Sequence, residues 1–258
     1  MYRAAMDDLE RANAASREGR HEDAIPAYAL VVASATLPLA ERLHAMCQLV
    51  SAYRLTGRWE AAEAAARSAI EATVAARDPE AEGHAQLSLA TVLLDMFDAG
   101  MKPDSSDELI GEAFEALESA RARYQQLNRI DSYTCLFMMG EALLSIGEGD
   151  AAEGIFNRIG IELCDEKWSK PQDVAYQADY LRGRAFYGLA RIAFEAHDDD
   201  KARDRLDTAV RLLTAGGYVA LATHPLLEDI ANDFREKLDD SRRADEILEW
   251  LRLESQPS

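Results

Sequence analysis

Residues 138–159, MMGEALLSIGEGDAAEGIFNRI, contain the pattern by which the rest of the chain can be read. Gly140 stands in the middle of an apolar first half, Leu143 follows it, and Gly147 and Gly149 interrupt the run. Ala152, Phe156 and Ile159 then recur at four- and three-residue steps, which places them on one face of a second helix. The glycines allow a tight turn. Gly140 and Ala152 lack bulk and so let the two axes approach, with Leu143 packed between them. The segment reads as helix, short turn, helix.

The same arrangement recurs along the chain, and such recurrence identifies a repeat architecture. Residues 49–71, LVSAYRLTGRWEAAEAAARSAIE, place Tyr53, Gly57, Ala62, Ala66 and Ala69 in equivalent positions, with Trp59 opening the second helix. Residues 13–32 offer Gly19, Ala24, Tyr28 and Val31 after Ala12, and Pro26 is expected in the first turn of their second helix, where proline is tolerated. Residues 188–210 offer Ala190, Ala193, Ala202, Leu206 and Ala209, with an acidic turn, His197 to Asp200, where the other copies have glycine. The third copy keeps Leu89, Ala90 and Leu93, but its turn expands to AGMKPDSSDE before a second helix running roughly from Glu108 to Leu127. Ser105 and Glu108 have capping-box spacing there. A sixth, degenerate copy starts at Thr223-His224-Pro225 and passes through Ile230 and Phe234 to Ala244, Leu248 and Leu251. Terminal repeats of this kind act as caps.

Composition agrees with a helical, folded chain. Of 258 residues 48% are hydrophobic and 29% charged, while glycine (14) and proline (7) are scarce. The formal charge of −19 repels phosphate backbones and anionic lipid, so neither direct nucleic-acid binding nor membrane association is expected. Cys47, Cys135 and Cys164 are odd in number and far apart in apolar patterns, which implies buried thiols and no disulfide framework. The N-terminal acids are unlike a signal peptide, and the expected location is cytoplasmic.

Residues Tyr53, Gly57 and Ala62 in one copy, and Gly140, Gly147, Ala152 and Phe156 in another, resemble the tetratricopeptide repeat (TPR). The resemblance covers nearly the whole chain. The small central residues, Ala12, Val50, Ala90, Gly140, Ala190 and Asn232, are spaced by roughly 38 to 50 residues against the family's usual 34. This is similar to long-repeat relatives such as kinesin light chains and bacterial peptide-sensing regulators. The resemblance implies an all-α, right-handed superhelix (α-solenoid) of about six repeats, forming a single domain over residues 1–258 with 223–254 as a capping repeat. It also implies that the first helix of each repeat lines a concave groove.

No motif for chemistry is present. Glycine-rich phosphate loops and the nucleophile elbow are both missing, and the Gly216-Gly217 pair is read as ending a helix. His21-Glu22 lacks a second histidine one turn on, and Asp198-Asp199-Asp200 lacks the glycine and closing glutamate of a calcium loop. The acidic run is more simply a solvated turn that favours the following helix N-terminus. No enzyme activity, metal or cofactor is expected.

Transferring the repeat geometry selects the residues expected to face the groove. They are Asn13 and Arg17 in the first copy; His44, Gln48, Ser51 and Arg54 in the second; and His84, Ser88, Thr91 and Asp95 in the third. The fourth contributes Thr134, Phe137 and Glu141, and the fifth Arg184, Tyr187 and Arg191. Arginine forks suit carboxylates. The expected partner is a protein or peptide, acidic in one reading, with Tyr187 and Phe137 as apolar anchors. In the other reading the arginines pair with local acids such as Asp95, Glu141 and Glu195. The lysine-and-asparagine carboxylate clamp of chaperone-binding members is not reproduced, because only Asn13 stands at a comparable place. On the last helix Trp250 and Leu253 project away from the Ala244, Ile247, Leu248 and Leu251 stripe. Trp250 therefore either folds back as a cap or makes a homodimer contact. The function read from all this is an interaction scaffold, and the alternative is a ligand-sensing regulator that changes curvature to control a separate effector.

Overall fold

The computed structural model describes residues 2–101, 103–165, 168, 172–215 and 224–254. The helices are α1 (Tyr2–Arg17), α2 (His21–Ala33), α3 (Leu39–Leu55), α4 (Trp59–Ala76), α5 (Pro79–Asp98) and α6 (Ser106–Gln126). They continue with α7 (Asp131–Ser145), α8 (Gly149–Glu162), α9 (Gln172–Glu195), α10 (Asp199–Leu213), α11 (His224–Glu236) and α12 (Ser241–Glu254). Among the described residues there is no strand, and none of the helices is long and apolar enough to cross a membrane. Two compact units result, residues 1–135 and 136–258, with the division inside α7.

In the first unit each helix from α1 to α6 packs on the next, and α3 also touches α5, so first helices of neighbouring repeats lie side by side. The core is built from small and large residues in alternation: Ala12, Ala24 and Ala52 let Tyr28, Leu9 and Leu49 fill the space between axes. Gly19 and Gly57 end α1 and α3 at φ +74° and +70°, the left-handed region that glycine enters without steric cost. Two local expectations need correction. Pro26 lies in the interior of α2 and not in its first turn. It sits on the exposed side, where the carbonyl left without its N–H belongs to the exposed Glu22 and is open to water. Ser105 does occupy the N-cap of α6, but its side chain makes no capping hydrogen bond, so the capping box is not formed.

The second unit is organised around Phe156 of α8. A Cβ placed on Gly140 of α7 would come within 2.6 Å of Phe156 Cε1, and one on Gly188 of α9 within 2.6 Å of Cε2. The ring is thus clasped by two glycines from two helices, which is why both positions are free of side chains. His197 takes the left-handed turn position, φ +57°, that glycine holds elsewhere. Asp198 caps α10 by accepting from Lys201 N at 3.0 Å. Leu227, Ile230, Ala231 and Phe234 of α11 close on Ala244, Ile247 and Leu251 of α12 and on α10. The small residue that packs here is Ala231, and the expected marker Asn232 is exposed. Cys164 is likewise exposed and not buried as expected. Trp250 is partly buried against the α11–α12 cluster, while Leu253 is 63% exposed. Gly216, Gly217 and Thr223 lie outside the described residues.

Candidate functional site

The inward periodicity of α3 and α5 leaves their remaining faces adjacent, and between them runs a trough of about 510 Å³. From α3 it is lined by Ala40, Leu43, His44, Cys47, Gln48 and Ser51, and from the start of α5 by Asp78, Glu80, Ala81, His84, Leu87 and Ser88. The volume falls within the range of ligand-sized clefts, about 300–1,000 Å³. Of the expected groove residues, His44, Gln48 and His84 meet here, together with Ser51 and Ser88.

Each polar side chain in the trough that has a bond within the chain is held by its own helix or by the layer beneath. Ser51 Oγ donates to Cys47 O at 3.3 Å and Ser88 Oγ to His84 O at 2.8 Å, which fixes both rotamers. His84 Nδ1 lies 2.9 Å from the hydroxyl of Tyr124, a buried residue of α6 whose phenol is pushed well above its ordinary range by desolvation. The other ring nitrogen, Nε2, stands 4.0 Å from Glu80 Oε1. Asp78 Oδ1 caps α5 by accepting from Ala81 N at 3.0 Å. Glu80 pairs with Arg129, which also binds Asp131 at 2.9 Å. Burial raises the Cys47 thiol to about 11, so this sulfur is protonated at neutral pH.

The other expected residues are placed differently. Arg54 binds Asp95 of α5 at 2.7 Å, and Arg191 binds Glu141 of α7 at 3.1 Å. Arg184 lies over the Phe137 ring at 4.0 Å and near Tyr180 at 5.6 Å. Phe137 is itself only 3% exposed, packed 5.7 Å from Phe156 between ring centroids. The expectation that it anchors a partner is therefore corrected: its ring is a core element with an arginine lid. Asn13 turns toward α2, where its Oδ1 accepts from Tyr28 OH at 2.9 Å, and Arg17 Nε donates to the Asn13 carbonyl at 3.2 Å. Tyr187 is half-buried, and desolvation, followed by the charges of Asp233 and Asp229, raises its phenol well above the ordinary value. Sequence reasoning missed Asp78, Glu80 and Cys47 as lining residues. Asp78 and Glu80 flank Pro79 at a helix start, and that proline was the available signal.

Among the described residues no group of three or more His, Cys, Asp or Glu side chains is arranged to hold a metal ion. Tyr124, Cys135, Cys47 and Tyr187 are all raised first by burial, whereas Arg67 is raised first by its hydrogen bond to Glu112.

No sequence-family model matches the chain, and no curated protein matches it in sequence. Solved structures do resemble it. The nearly identical TPR-like repeats of a kinesin light chain from Podosopora anserina align with TM-score 0.58 at 15% identity, covering 84% of this chain and 99% of that one. BtubC from P. vanneervenii aligns with TM-score 0.61 at 15% identity, covering 84% and 91%. The thermophilic TPR protein TTC0263 from Thermus thermophilus aligns with TM-score 0.56 at 14% identity, covering 95% and 98%. At these identities the likeness is one of fold: tandem TPR-like helix pairs, all α.

Proposed function

We propose that this protein is an interaction module that seats a segment of another protein in the α3/α5 trough, and that its mechanism is binding without a chemical step. The observation that supports the reading is the trough itself. Two first helices from successive repeats present His44, Gln48, Ser51, His84 and Ser88 along one cleft, on a face that the core does not use. Stacked repeats characteristically use such faces as extended binding surfaces. Side chains already locked by local hydrogen bonds lose little rotamer entropy when a partner arrives, which favours binding by a pre-formed surface.

The test is affinity capture from native lysate with wild type, with Gln48→Trp, and with Arg184→Glu combined with Arg191→Glu, each first shown to melt as the wild type does. Gln48 is half-buried at the trough wall, so tryptophan fills the cleft from its side without entering the core. The trough reading expects a partner captured by wild type to be lost with Gln48→Trp and retained by the arginine pair variant. Retention by Gln48→Trp with loss in the arginine variant would move the seat to the α7/α9 face and reject the trough.

A further inference from the structure

We infer that the segment seated in the α3/α5 trough is cationic, a lysine- or arginine-bearing stretch of a partner protein. This rests on the trough being the seat, and it reverses the acidic partner expected from the arginine count. The trough lining contains two carboxylates, Asp78 and Glu80, and no lysine or arginine among the described residues. Two arginines beside it are committed, Arg54 to Asp95 at 2.7 Å, and Arg129 to Asp131 at 2.9 Å and to Glu80, and Arg42 and Arg77, although next in sequence to Leu43 and Asp78, do not line the trough. One guanidinium shared by two carboxylates leaves the Glu80, Asp131 and Arg129 group with net negative charge. Asp78 spends only one oxygen on its helix cap.

Two of the neutral groups, the serines, point the same way, while Gln48, His44 and His84 can both donate and accept. The hydroxyl hydrogens of Ser51 and Ser88 are donated back into α3 and α5, so what these side chains offer the cleft is oxygen lone pairs. The carboxylates and serine oxygens favour donors from the occupant, and ammonium or guanidinium groups supply donors only. The apolar part also fits. Leu87, Ala40 and Ala81, above the buried Leu43, offer apolar surface on which the methylene stem of lysine or arginine can lie while its head reaches Asp78 or Glu80. The dipole at the start of α5, which alone would favour an anion, is already answered by Asp78 and Glu80. From Glu80 to Ser88 the trough runs about 12 Å along α5 at the helical rise, which an extended segment of about four residues spans. Far from the cleft, the chain's net charge of −19 speeds encounter with such a segment.

The probes are a fluorescein-labelled octapeptide of alternating lysine and alanine and its glutamate–alanine counterpart, titrated by fluorescence anisotropy against the whole chain. Asp78→Asn with Glu80→Gln removes the trough carboxylates while asparagine keeps the helix cap. Glu60→Gln with Glu71→Gln makes the same charge change at exposed positions of α4 outside the trough. Thermal melts confirm that both variants fold. The expected result is preferential binding of the lysine peptide, weakened on the order of tenfold by the trough pair and by less than about twofold by the α4 pair. Equal weakening by both pairs would show that only diffuse net charge is at work and would overturn the inference, as would preference for the glutamate peptide. If no trough-dependent lysine-peptide binding is seen while Gln48→Trp still abolishes capture of a native partner, the charge assignment fails and the seat survives. If Gln48→Trp leaves capture intact, the seat fails as well.

Discussion

The clasp on Phe156 makes a sharp prediction, because two opposing effects meet at the same substitution. Replacing a helical glycine with alanine ordinarily stabilises by up to about 1 kcal/mol through backbone entropy. At Gly140 and Gly188 the new Cβ would stand 2.6 Å from a ring carbon of Phe156, about 1 Å inside the 3.5–4.0 Å optimum for carbon–carbon contact. The ring cannot retreat from one glycine without pressing on the other, because its two edges face Gly140 and Gly188 and it is fully buried. Overpacking of this kind costs about 1–3 kcal/mol, so each substitution is expected to destabilise by about 1–2 kcal/mol net of the entropic gain. At Gly154, on the exposed face of the same α8, an added Cβ would meet nothing within 4 Å; Gly154→Ala is expected to stabilise by up to about 1 kcal/mol. Urea unfolding followed by circular dichroism measures all three. Phe156→Leu should relieve the clash, giving a favourable coupling of about 0.5–3 kcal/mol with Gly140→Ala in a double-mutant cycle. Gly140→Ala or Gly188→Ala proving as stabilising as Gly154→Ala would refute the packing argument.

Tyr28→Phe removes the donor to Asn13 Oδ1 across 2.9 Å from a fully buried ring and is expected to cost about 1 kcal/mol, measured by the same unfolding assay; an unchanged midpoint would mean that water replaces the bond. Cys164 is exposed, whereas burial raises the thiols of Cys47 and Cys135 to about 11 and about 12. A disulfide-exchange reagent at pH 8 should therefore titrate one fast thiol in the folded chain and three after denaturation; two fast thiols would contradict the assignment. Asp198→Ala deletes the cap of α10 and should lower stability by about 1 kcal/mol, with Asp198→Asn restoring most of it, since asparagine caps equally well. The half-exposed Arg54 and Asp95 pair should show a coupling of only about 0.2–1 kcal/mol in a double-mutant cycle, diminished by salt.

What could be read from the residues was what local periodicity records. Small residues at Ala12, Gly140 and Ala190 and glycines at Gly19, Gly57 and Gly147 report backbone geometry within one helix pair and take the expected places, while the acidic turn expected over His197 to Asp200 closes at Asp198, with Asp199 and Asp200 already in α10. Likewise, the faces of α3 and α5 were legible because a helix repeats every 3.6 residues, and His44, Gln48 and His84 share one cleft as a result. Where periodicity was weak the reading slipped: by one residue at Asn232, whose packing role belongs to Ala231, and by half a turn or more at Pro26.

The chemistry of the candidate surface was not local in this sense. Whether Arg54 is a free cation depends on Asp95, 41 residues away, and whether Arg191 is free depends on Glu141, 50 residues away. Phe137 is expected on the groove-facing side of its helix, yet the lid of Arg184 and the neighbouring ring of Phe156 cover it. The sequence by itself determined helices, turns and faces, because these follow from spacing along one chain segment. Only the tertiary structure decided between the two readings of the arginines, because Arg54–Asp95 and Arg191–Glu141 join different helices and spacing along one segment does not report such a contact.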